Sequence, residues 1–247
     1  MAPRGLKKIL KDTVPAKLGK HNNWTCFKDA NGRVLHGLTT GLKARVFSDG
    51  AEPRHGGGRN GWRGAGGGRA RGTAIASQVC RLVNRGKTRP AKGQYTLTKL
   101  VLAALAEHKL EPVCSERGVC LASHRLGTAI DLLCYEEATA KLVVVELKTG
   151  YHGDKNACAV SNGRACKMRS PISKAPDSTL NRHMAQLAIT RELFAREGET
   201  LRRLNAIGVS SDVGGALLYV DDTNTELYPL HQWWTDRSAR LLGALRF

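Results

Sequence analysis

Apolar residues follow two rhythms along this chain, and they meet most clearly at 127–148, GTAIDLLCYEEATAKLVVVELK. Runs at 128–134 and 142–145 are short, aliphatic and β-branched around a polar turn, which predicts an antiparallel hairpin of buried strands. A third apolar run at 214–221, GGALLYVD, predicts another buried strand, and 112–123 predicts a strand ahead of the hairpin. Helical periodicity marks 71–83, with a stripe of Ile75, Val79 and Leu82, and 95–110, with Leu97, Leu100, Val101, Ala104 and Leu105. The strongest helix spans 178–197. Ser178 is a good N-cap, Gly198 a good C′ residue, and Leu180, Met184, Leu187 and Phe194 form its stripe. A last helix at 231–245 carries Trp233 and Trp234, better suited to packing than to stacking on bases. Strands interleaved with helices predict an α/β fold, a mixed central β-sheet flanked by helices.

Residues 1–50 are only weakly periodic, with turn signals at Asn31-Gly32 and Asp49-Gly50, and are read as a small N-terminal region without an assignable role. The domain plan is therefore an N-terminal region (1–53), a Gly/Arg-rich arm (54–72) and a main domain (73–247). The arm, RHGGGRNGWRGAGGGRARG, holds five arginines, nine glycines and no acid. Glycine at that density cannot pack a core. Arg63, Arg69 and Arg71 around Trp62 suit phosphate contacts and base stacking, against the plainer reading of a soluble linker. The segment 149–177 looks like a long structureless loop carrying Lys155, Arg164, Lys167, Arg169 and Lys174, placed to clamp a polyanion.

Charge sharpens this picture. The 247 residues include 39 Lys and Arg against 21 Asp and Glu, a formal net charge of +18, and such a surface attracts nucleic acid. It speaks for binding and not for catalysis, since a packaging protein would share it. Seven cysteines, an odd number without paired spacing, point to a reducing intracellular compartment. No apolar run approaches the roughly 18 residues of a membrane span, and the basic N-terminus lacks transit-peptide character. His152, Cys158 and Cys166 fit no standard zinc spacing and lack a fourth ligand.

Three ionisable groups stand in the apolar hairpin: Asp131, Glu146 and Lys148. Residues two apart on a strand share a face, so Glu146 and Lys148 project together while Leu147 points into the core. Two carboxylates brought together repel unless a cation lies between them, and their hard oxygens suit Mg²⁺, with Mn²⁺ able to replace it. A lysine beside them can orient an attacking water and offset phosphate charge. That is the equipment for hydrolysing phosphodiesters.

Asp131, fourteen residues and then Glu146-Leu147-Lys148 resemble the D…ExK core of the PD-(D/E)xK nuclease superfamily. Ile130 replaces the proline of that name, a form similar to the RecB-like and lambda-exonuclease-like branch. The resemblance runs over residues 71–221 and implies a restriction-endonuclease-like core. It implies that Asp131, Glu146 and the Leu147 carbonyl hold Mg²⁺ and that Lys148 activates the water. Glu116 would be an additional carboxylate near the metal, although a surface glutamate on a strand is an equal reading. The GTAIAS string resembles a segment that would put Ser77 near the substrate phosphate. Gln186 to Thr190 resembles the branch's QxxxY motif with Thr for Tyr, giving Gln186 a site role and placing Arg182 one turn away for nucleic-acid contact. Ala76 stands where RecB-like members often carry a histidine. The four-cysteine Fe–S cluster of some relatives is not expected, because no cysteine follows Cys166. The implied activity is a metal-dependent deoxyribonuclease, read first as an exonuclease in recombination, repair or viral genome processing. The alternatives are a structure-specific endonuclease and a non-catalytic nucleic-acid-binding protein on the same fold.

Overall fold

In a computed structural model, residues 1–21, 24–50, 67–149, 154–222 and 224–247 are described. Trp62, Arg63 and His152 lie outside them. The protein is an α/β structure built on a mixed sheet flanked by helices, as the apolar pattern predicts. The element order begins with α1 (Leu6–Asp12), β1 (Ala16–His21), β2 (Trp24–Asp29), β3 (Val34–Gly37) and α2 (Leu38–Arg45). It continues with α3 (Gly67–Asn84), α4 (Thr96–Glu107), β4 (Leu110–Leu121), β5 (Leu126–Glu136) and β6 (Lys141–Thr149). Then come β7 (Val160–Ser161), β8 (Arg164–Ala165), α5 (Thr179–Ala195), α6 (Gly198–Asn205), β9 (Val213–Val220), β10 (Thr225–Pro229) and α7 (Gln232–Ala244).

The expected hairpin forms, β5 and β6 pairing antiparallel from Leu132↔Val145 to Glu136↔Lys141. Beyond it β6 runs parallel to β9, and β9 antiparallel to β10. β4 follows one whole edge of β5. The other edge is shared, since β6 takes residues 132–136 and β3 takes Leu126 and Gly127 in parallel. Residues 128–131 of β5 thus have a strand partner on one side only.

Alternation decides the layers. Leu133, Tyr135, Leu142, Val144, Leu217 and Tyr219 pack with α1, α2, α5 and α7, while Leu132, Cys134, Val143, Val145 and Leu218 face α3 and α4. Both faces of β6 are covered, which is why its sequence reads as a continuous apolar run.

Several expectations are corrected. The N-terminal region is not separate: β1, β2 and β3 extend the central sheet through β3 and β5. Its weak periodicity comes from short elements that each bury little. Helix α3 begins at Gly67, so Arg69 and Arg71 fall in its first turns and the arm reading does not hold there. Its buried stripe is Ile75, Val79 and Val83, with Leu82 set to the side. Gly198 does not close α5; it opens α6, and Arg196 is the C-cap. Helix α5 is buried on more than one stripe because the sheet and α7 enclose it. The segment expected as a structureless loop is knitted together where it is described. Ala159 N–H donates to the Asp177 carbonyl and Met168 N–H to the Ala175 carbonyl, while Met168 and Ile172 plug into the core. No helix of the described residues is long and apolar enough to cross a membrane.

Gly118 of β4 shows how closely the N-terminal strands lie on the sheet. A Cβ there would stand 2.1 Å from the Ala16 carbonyl oxygen of β1, a backbone atom that cannot swing away. Gly118→Ala should therefore destabilise the fold by about 1–3 kcal/mol in urea melts, the usual range for overpacking. Gly243→Ala, in α7 where nothing lies within 4 Å, should be neutral or stabilising by about 0.5–1 kcal/mol.

Candidate active site

The fork at which β5 and β6 part is where polar chemistry enters the sheet. Pairing stops at Leu132↔Val145, and β6 continues along β9 through Glu146, Leu147 and Lys148. The carboxylate of Asp131 closes the gap, its Oδ2 accepting from Leu147 N–H at 2.9 Å. A strand residue points its N–H and C=O to the same edge, so the Leu147 carbonyl also faces the fork. Register puts Asp131 beside Glu146, and both share the sheet face covered by α5.

From that helix Gln186 reaches down. Its Nε2 donates to Glu146 Oε1 at 2.6 Å, and the same oxygen accepts from Lys148 Nζ at 2.6 Å. Lys148 Nζ is 3.4 Å from Gln186 Oε1, closing a triangle of side chains. Glu146 is only 2% exposed, so these two donors are what makes its carboxylate tolerable inside the protein.

The start of α5 is pinned by a second polar cluster. Arg182 binds Asp177 through Nε and Nη2 at 2.6 and 2.9 Å and lies over the Phe47 ring at 4.9 Å. Asp177 also accepts from Ser48 N–H at 2.7 Å. Burial pushes the Asp177 carboxyl up, yet the hydrogen bonds from Arg182 and Ser48 prevail and hold it below the usual range. The expected nucleic-acid role of Arg182 is thereby corrected: it is buried and bidentate to a carboxylate, and it sets the helix that carries Gln186.

The other expected residues separate into three groups. Arg164 and Lys167 are exposed near the β7–β8 hairpin, available to a polyanion. Lys155 and Arg169 are engaged. Lys155 Nζ is 2.6 Å from Glu226 Oε1 and 4.9 Å from the centre of the Tyr219 ring, while Arg169 binds Asp49 and the Ala44 carbonyl. Ser77 is exposed on α3, which covers the face opposite Glu146 and Lys148, so it does not join them. Glu116 occupies the row position next to Asp131 in β4, but with φ +52° its backbone is left-handed and its side chain departs from the alternation. Its charge is nonetheless among those that raise the Asp131 carboxyl, so Glu116 stays within electrostatic reach of the fork.

One neighbouring pair escaped sequence reasoning. His183 Nδ1 and the Tyr219 hydroxyl are 2.7 Å apart, and Tyr219 pairs in register with Lys148. His183 stands three residues before Gln186, a helical neighbour, and that spacing was the available signal. Thr190 is fully buried and donates to the Gln186 carbonyl at 2.9 Å.

Electrostatically the fork is short of positive charge. Burial first, and the charge of Glu146 second, push the Asp131 carboxyl up to about 8, against smaller lowering by Lys148 and the Leu147 N–H. Two oxygen-donor carboxylates with a carbonyl beside them fit a small hard cation that keeps several waters, the habit of Mg²⁺. Comparison with protein-family models, characterised proteins and solved structures finds no match to this chain.

Two outcomes follow from these clusters. Arg182→Ala strands a buried Asp177 and should cost about 3–5 kcal/mol in denaturant melts, whereas Arg164→Ala should change stability little. Asp131 binds its proton more tightly when folded, so its stabilising contribution is full below its unfolded value near 3.8 and is lost as pH rises through about 8. In metal-free buffer, Asp131→Asn should hence melt a few degrees above the wild type at pH 8.5, where about 2–4 °C corresponds to 1 kcal/mol at this chain length, and the gap should close at pH 4.

Proposed function

We propose that this protein is a Mg²⁺-dependent nuclease that hydrolyses DNA phosphodiester bonds. The observation that carries the reading is the Asp131–Glu146 pair at the β5–β6 fork, with Lys148 and Gln186 converging on it. Asp131, Glu146 and the Leu147 carbonyl would hold the cation. A bound Mg²⁺ lowers the pKa of water and polarises a phosphoryl oxygen. Lys148 supplies a positive charge on the same face, able to orient the attacking water and offset charge on the phosphate. Gln186 holds Lys148 and Glu146 in register with each other. The formal charge of +18 supplies long-range attraction for a phosphate backbone.

This arrangement resembles the PD-(D/E)xK core named by the sequence motif, with a strand and a hairpin bearing D and ExK followed by a helix bearing glutamine. An exonuclease in recombination, repair or viral genome processing is the form of activity that this resemblance favours.

Digestion of linear, circular and single-stranded DNA with and without Mg²⁺ tests the reading. Linear DNA should be degraded only with the metal. Asp131→Asn and Glu146→Gln should abolish cleavage while DNA binding persists, and near wild-type cutting by either variant would overturn the assignment. Lys148→Ala should lower kcat by about 10²–10⁴ with KM nearly unchanged, the scale of a positioned acid–base group. A raised KM with normal single-turnover cleavage would make Lys148 a binding residue alone.

A further inference from the structure

A cavity of about 700 Å³ opens around β4 between α1, β1, β2 and the end of α3. That volume lies within the range of small-molecule sites, roughly 300–1,000 Å³. Its walls are unequal. Phe27 and Val113 contribute apolar surface, whereas Lys7, Lys11 and Lys17 bring three exposed ammonium groups to the rim. Among the described residues none of the three is in an ion pair. Lys7 and Lys11 are four apart on α1 and share one side of the helix. Like charges that outnumber the acids there repel one another, and an anion in the cavity would relieve that repulsion.

A single carboxylate lines the same cavity. It belongs to Glu116, whose backbone is left-handed with φ +52°. A left-handed non-glycine residue inside a strand is strained, and such strain persists where the surrounding structure imposes it. Glu116 is also the neighbour of Asp131 in register, and its charge is among those that raise the Asp131 carboxyl. Ala129, also lining the cavity, is two residues from Asp131 on β5. The lining therefore includes neighbours of Asp131 both along β5 and across in β4.

Three exposed lysines, an aromatic and apolar wall and one acceptor carboxylate have a common complement: a nucleotide. The lysines would take its phosphate, Phe27 and Val113 would flank the base, and Glu116 would accept from an exocyclic amine, as carboxylates do from cytosine N4. Leu18, 63% exposed at the rim, adds apolar surface that water alone would not favour. We infer that this cavity holds one unstacked nucleotide of the substrate strand beside the cleavage site. The inference rests on the nuclease reading for the source of that nucleotide, and on the cavity itself for its chemistry.

Titration calorimetry on the full chain carrying Asp131→Asn, without metal, tests binding apart from cleavage. Deoxycytidine monophosphate should bind, deoxycytidine and inorganic phosphate each more weakly, and a short single-stranded oligonucleotide should displace the nucleotide. Lys7→Glu with Lys11→Glu should weaken binding by about tenfold or more, the value of one lost charge-assisted contact. Both lysines are exposed, and an unchanged melting temperature verifies the fold. Glu116→Ala should erase the preference for deoxycytidine over thymidine monophosphate. Absence of nucleotide binding, or binding indifferent to the lysine substitutions, overturns the pocket even if the wild type cuts DNA. Nucleotide binding that the oligonucleotide cannot displace overturns the substrate-strand assignment. A wild type that binds nucleotide and cuts nothing defeats the nuclease reading instead.

Discussion

The separation of β5 from β6 after Leu132↔Val145 is the constraint on which the rest depends. A strand that leaves its partner exposes backbone donors and acceptors, and those must find other partners or water. Here Asp131 takes the Leu147 N–H, so the opening is stabilised by a carboxylate rather than closed by further pairing. The hydrogen bond also fixes where Asp131 points, next to Glu146, and leaves the Leu147 carbonyl facing the same gap. Local backbone geometry and site chemistry are one feature.

That arrangement burdens the protein electrostatically. Glu146 is buried, Asp131 is raised by burial and by its neighbour, and Lys148 brings a positive charge to them. Gln186 spreads the load with a neutral donor, and its position is set from a distance by the Asp177–Arg182–Ser48 cluster at the start of α5. The path runs from a residue in the N-terminal region, through one turn of helix, to the candidate catalytic pair. The N-terminal region is thus tied to the site twice, through Ser48 and Phe47 on one side and through β1 lying against Gly118 on the other.

The division of basic residues has the same logic. Arginines and lysines that meet a buried or half-buried carboxylate become struts, as Arg182 and Lys155 do. Those left at the surface, Arg164 and Lys167 among them, remain available to a polyanion. A large net charge therefore does not translate residue by residue into nucleic-acid contacts.

Much of the central fold was legible in the residues. The β5–β6 hairpin, α3, α4, α5, α7 and β9 follow from apolar periodicity and from Ser178 as an N-cap, because each buries a continuous apolar surface that local sequence must encode. Asp131, Glu146 and Lys148 stood out for the opposite reason, as charges in runs that should hold none. What only the tertiary structure decided depends on pairings between distant segments. The short N-terminal strands carry too few residues for a period, and they became part of the sheet by pairing β3 with β5 across about ninety residues of chain. The fate of Arg182 depended on Asp177 and Phe47 arriving together, and that of Ser77 on which face α3 covers. Glu116 kept the register of a third carboxylate, and only the folded chain shows that its backbone there is left-handed while its charge still acts on Asp131. Sequence fixes which residues must be buried and which charges are anomalous, since those are costs each segment bears alone. Which charge meets which is a property of segments brought together, and it exists only in the folded chain.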